Sequence, residues 1–131
     1  MTSSQRIAAA FSPDNVRQLG GRLIDLLSEH FRAVESSEKS VLNWNDPSEN
    51  IARAGAILDE AASTTDIAAR FESLIEEMLA RGHNLHDPRY IGHQVPAPVP
   101  IAGLFDALGS MTNQVMAIYE MGPWATSVEQ S

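Results

Sequence analysis

Three of the four histidines in this 131-residue chain, His83, His86 and His93, fall in one short stretch that also carries Tyr90 and is punctuated by Pro88 and Pro96. The His-x-x-His pair could put two imidazoles on a metal if the loop folds back. No cysteine assists it, however, and the i, i+4 spacing of helical zinc sites is missing. The plain alternative is a set of loop histidines bonded to backbone or water, and no metal site is assigned. With no cysteine there is also no disulfide and no thiol nucleophile. Asp106 and Glu120 are too far apart in sequence to work alone as an acid/base pair, so their carboxylates read as solvated or ion-paired. The first three helices offer no ordered Ser/His/Asp set. The one amine is Lys39, in Ser-Ser-Glu-Lys-Ser, where the neighbouring Glu38 and an exposed linker supply nothing that would activate it. Met111, Met116 and Met121 are spaced for core or interface packing rather than for a cofactor.

The elements that must position this stretch read as helices. Ser12-Pro13 is an N-cap followed by proline at the first helical position, with Asp14 near the positive end of the dipole. Val16, Leu19, Leu23, Leu26, Leu27, His30, Phe31 and Val34 then recur at helical spacing, predicting a helix over residues 13–37. Gly20-Gly21 inside it predict a close approach by another backbone, or a kink. A linker over 40–46 presents Val41, Leu42 and Trp44 as apolar hooks. Asp46-Pro47 starts a second helix whose face is Ile51, Ala54, Leu58 and Ala61. Thr65 or Asp66 caps a third, with Ile67, Phe71, Leu74, Ile75, Met78 and Leu79 on one side, and Gly82 ends it after Arg81.

Residues 83–99 have no sustained period, and Pro96, Pro98 and Pro100 stiffen the chain toward polyproline II. A fourth helix is expected over residues 100–121, apolar around most of its circumference, as for a helix covered on several sides. Thr126 to Glu129 fits a capping box for a further helix, with only Gln130 and Ser131 after it, an expectation that the chain is part of something longer. The fold class is therefore all-α, with about four helices plus a Pro-rich loop. Its segments are 1–82 (three helices), 83–99 (the loop) and 100–131 (a long interface helix and the start of a larger domain).

Bulk properties narrow the function. The net charge of −8, with nine basic residues dispersed along the chain, disfavours nucleic acid and anionic membrane surfaces. No apolar run is long enough for a bilayer, and no secretory leader is legible, so a cytoplasmic location is expected. If it packs compactly, a chain of this length buries roughly two thirds of its unfolded surface.

The stretch Pro88-Arg89-Tyr90-Ile91-Gly92-His93, followed by Pro96, Pro98 and Pro100, then Asn113, Tyr119-Glu120, Pro123, Thr126 and Glu129, resembles the N-terminal region of group II pyridoxal-phosphate-dependent amino-acid decarboxylases. This family includes the aromatic-amino-acid, glutamate and diaminobutyrate enzymes. Gly21, Asp25 and Val41 fit its opening helix and linker more loosely. One departure is Asp87, which separates His86 from Pro88 where the family usually has His directly before Pro, and it leaves His86 without a matched role.

The resemblance implies the N-terminal helical segment of a fold-type I α/β enzyme, an intertwined homodimer whose opening helices wrap the partner subunit. It implies that His93 and Gln94 face the substrate side chain, that Tyr90 supports the loop, that Val95 and Pro96 shape the pocket wall, and that the helix bearing Asn113 packs at the dimer interface. Substrate-binding residues are thus expected at Tyr90, His93, Gln94 and Pro96; the alternative, that His93 and Gln94 only tie the loop down, stays open. The family's pyridoxal phosphate sits on a lysine that follows a histidine and acts as electron sink when CO2 leaves. No such pair occurs here, so the chain alone is expected to hold no cofactor and to be inactive. Its expected partners are a second copy or the remaining decarboxylase domain, with an amino acid as substrate of the complete enzyme. A second reading is a stand-alone helical dimerisation module without catalysis; a third, a small metalloprotein on the loop histidines, would require stoichiometric metal.

Overall fold

The computed structural model describes residues 2–63, 66–92, 94–113 and 118–131, and is all-helical, with no strand among them. No helix among these residues is long and apolar enough to cross a membrane. The chain forms two units, Met1–Val95 and Pro96–Ser131.

The first unit holds α1 (Ser3–Ala10), α2 (Pro13–Glu35), α3 (Pro47–Ser63) and α4 (Ile67–Arg81). The sequence pattern omitted α1, although Thr2 and Gln5 make a reciprocal capping box at its start. Ser12 caps α2 by accepting from the Asn15 amide at 3.4 Å, and Asn15 Nδ2 donates to the Ala9 carbonyl at 2.8 Å, fixing the turn between the two helices. Asp46 accepts from the Ser48 amide at the head of α3. Asp66 caps α4 through the Ala68 and Ala69 amides, while Thr65 lies outside the described residues. The Ser12, Asp46 and Asp66 signals were legible because each acts within three residues.

Packing departs from the pattern in three places. Leu26 and Val34 are buried on α2 as expected, and Phe71, Leu74, Ile75 and Leu79 of α4 are half-buried, but Met78 is exposed. On α3 the expected face is turned out, with Ile51 and Leu58 exposed and Ile57 buried instead; Ala61 lies outside the described side chains. The cause is electrostatic. Arg53 grips Glu77 of α4 bidentately at 2.9 and 3.0 Å, and Arg81 joins the same carboxylate at 2.5 Å while bonding Asn50 at 2.8 Å. Asn50, Arg53 and Ile57, at i, i+3 and i+7, therefore form the inner face. Last, an added Cβ at Gly20 or Gly21 meets nothing within 4 Å, and α2 runs through both without a break, so no described residue makes the close approach expected there. Gly20→Ala and Gly21→Ala should each stabilise the chain by about 1 kcal/mol, read as a higher urea midpoint.

The Arg53 guanidinium, and then that of Arg81, hold the Glu77 carboxyl down at about 2 against an ordinary 4.5. Because the folded value is lowered, this link is complete above pH 4.5 and is lost as pH falls toward about 2. Acidification should free α3 from α4 in that window, and Glu77→Gln should loosen α3 already at neutral pH. The Ile57 methyl resonances report both.

The second unit holds α5 (Pro100–Thr112), a short 3-10 helix (Tyr119–Met121) and α6 (Pro123–Gln130). The single helix expected over 100–121 is not formed. Asn113 enters the left-handed region (φ 47°, ψ 55°) and its amide closes the last turn on Gly109 at 2.9 Å, ending α5. Thr126 is likewise no cap. Proline at the first helical position starts α6 at Pro123, so the Thr126 amide already bonds Gly122 and its hydroxyl is enclosed without a partner. Ile101, Leu104, Phe105, Leu108 and Met111 are all exposed, as is Met121; Met116 lies outside the described residues. Only Leu26, Val34 and Ile57 are buried apolar side chains among those described, a thinner core than compact packing of this length would give.

Candidate functional site

The motif-bearing loop is built onto the end of α2. Ser36 closes the helix and Ser37 takes the left-handed conformation (φ 60°). The Ser37 amide then bonds Val34 at 3.0 Å and the Glu38 amide bonds Ala33 at 2.9 Å, a Schellman ending made with serine instead of glycine. This turn points the carbonyls of residues 37–41 away from the helix, where the loop after α4 collects them.

Asn84 and Asp87 are the buried polar residues among those described. The Asn84 amide donates to Val41 at 2.9 Å and its Nδ2 to Ser40 at 2.5 Å, and its own carbonyl receives the Asp87 amide at 3.1 Å. The Asp87 side chain, 0% exposed, receives the Arg89 amide (2.8 Å), Nε (2.9 Å) and Nη2 (2.8 Å). Arg89 Nη2 continues to the carbonyls of Lys39 (2.9 Å) and Ser37 (3.3 Å). Linker and loop are thus strapped by a polar network in which the buried carboxylate and amide and the half-exposed guanidinium each find partners. Arg89, against the cost of burial, holds the Asp87 carboxyl below its usual range.

Of the loop histidines, His83 accepts the Asn43 amide at Nδ1 (3.2 Å), and His86 packs its ring edge-on against Phe31 of α2, centroids 4.8 Å apart. No metal-binding cluster occurs among the described residues. The Tyr90 amide closes a second turn on Asp87 at 2.8 Å, and its half-buried ring folds over Gly92, where a Cβ would strike the phenol. His93 lies outside the described residues. Ile91 is 96% exposed and Gln94 is exposed, making no hydrogen bond among the described residues. Pro96 is exposed and belongs to the second unit. So Tyr90 is anchored at the root of the loop and Gln94 stands free at its far end. The sequence reading passed over Asp87 and Asn84, the residues that make the anchor. Its available signal was Asp-Pro-Arg, an aspartate placed to bind the amide two residues on.

The residues present do not fit pyridoxal phosphate. Lys39 lines a groove of about 310 Å³ between α2 and α4, but it shares that groove with the carboxylates Glu29 and Glu76. It also follows the C-terminal end of α2, whose negative dipole end opposes a phosphate. Asp106 and Glu120 are exposed and lie on separate elements, α5 and the 3-10 helix.

Compared with protein-family models, with curated proteins and with solved structures, the chain gives no match.

Proposed function

We propose that this chain is the N-terminal dimerisation and substrate-loop segment of a cytoplasmic pyridoxal-phosphate-dependent amino-acid decarboxylase. It acts as a homodimer, or with the remaining decarboxylase domain, and is inactive alone. The observation that carries this reading is α5. Its apolar residues Ile101, Leu104, Phe105, Leu108 and Met111 are all exposed in the isolated chain, with Asp106 the helix's one charge. A contiguous apolar surface of this kind is covered in a working protein by another chain or domain. The loop supports the same reading, because a strapped root and a free Gln94 are what a substrate-contacting loop needs.

A second reading, a dimerisation module without catalysis, draws on the same exposed face of α5 and needs no further domain. Translating the gene in frame past codon 131 separates the two. A continuing frame with a His-Lys pair in an α/β stretch supports the decarboxylase, whereas an immediate stop codon leaves the module.

A further inference from the structure

His30 sits half-buried on α2, at the groove that it shares with Glu29, Lys39 and Glu76. Its Nδ1 is enclosed and has no hydrogen-bond partner. The ring meets Phe31 edge-on at 5.9 Å, and Phe31 in turn meets His86 of the loop at 4.8 Å. A neutral imidazole tolerates this place, since one nitrogen can remain a bare acceptor. An imidazolium cannot, because both nitrogens become donors and Nδ1–H would be buried without an acceptor. Protonation would also set a cation beside Lys39 and His86. Burial first, then Lys39, then His86 push the His30 pKa below its ordinary 6.5.

The groups around His30 differ in where they are attached. Glu29 and Glu76 belong to α2 and α4; they and Lys39 are all exposed, so water and salt weaken all three, and the enclosed Nδ1 is what chiefly opposes the charge. Lys39 and His86, the groups that add to this, both belong to the strap. The Lys39 carbonyl holds Arg89, and His86 precedes Asp87. Strain from a protonated His30 is therefore relieved by moving the strap rather than the helices.

The geometry points to a pH-sensitive latch in which neutral His30 lets linker and loop close on α2 and protonated His30 releases them. This holds whichever function the chain serves. Since the folded pKa is lowered, the latch is complete above pH 6.5 and opens as pH falls through the folded value. Asp87 and Glu77 titrate in a lower window, because their partners hold both below the ordinary carboxylate values.

The test follows the His30 ring resonances and the exchange protection of the Asn84 amide between about pH 7.5 and about pH 5.5. Expected in the native chain are a His30 midpoint below 6.5 and a several-fold loss of Asn84 protection that tracks it. His30→Gln should abolish the pH step, and Lys39→Gln should move the His30 midpoint upward. A His30 midpoint at or above the ordinary value, or an Asn84 step that survives in His30→Gln, overturns the proposal. If His30→Gln fails to fold, the titration of the native chain decides alone.

Discussion

Asp87→Ala is expected to release the motif-bearing loop from α2 while leaving the helices in place. The carboxylate is wholly buried and receives three donors from Arg89, which itself ties down Ser37 and Lys39. Removing it takes the acceptor from the Arg89 amide and lets the half-exposed guanidinium turn to water, which loosens the donor to two carbonyls. Hydrogen exchange across residues 82–92 should lose about a hundredfold in protection, and Asp87→Asn, which keeps the shape, about tenfold. Arg89→Lys should behave like the asparagine variant, because an ammonium cannot reproduce the bidentate grip. Far-UV circular dichroism should barely change, since the partners of Asp87 and Arg89 all lie outside the helices. Unchanged exchange in Asp87→Ala would mean that the strap does not hold the loop.

The second large effect is on self-association. Phe105 and Leu108, 73% and 56% exposed, lie one turn apart on α5. Changing both to glutamate places two charges on the apolar surface and should weaken self-association by about tenfold or more in sedimentation velocity. Trp44→Glu is the control, since Trp44 is equally exposed (79%) but lies in the linker between α2 and α3, outside every helix. Equal sensitivity of the two surfaces would show that α5 is not the interface.

The starts of α2, α3 and α4 were legible because Ser12, Asp46 and Asp66 act on amides two or three residues away. What escaped the sequence was settled either by backbone conformation or at a distance. Apolar spacing continues past Asn113, so periodicity could not reveal that one left-handed residue ends α5. The inner face of α3 was misassigned because alanine spacing said nothing of Arg53, whose partner Glu77 lies 24 residues on. Asp87 read as an interruption of a motif. Its role depends on Arg89 reaching the Lys39 carbonyl across 50 residues, which no local pattern encodes. The resemblance singled out Tyr90 and Gln94 on this loop, but it carried no sign of the network that roots the loop.

The most direct test of the proposed function is CO2 release from a panel of L-amino acids, with pyridoxal phosphate added, by the protein translated from the whole reading frame that contains residues 1–131. The expected result is release from at least one amino acid, none from residues 1–131 alone, and a raised KM in Gln94→Ala. A folded product that releases CO2 from none of them would contradict the decarboxylase assignment and leave the chain as a helical association module.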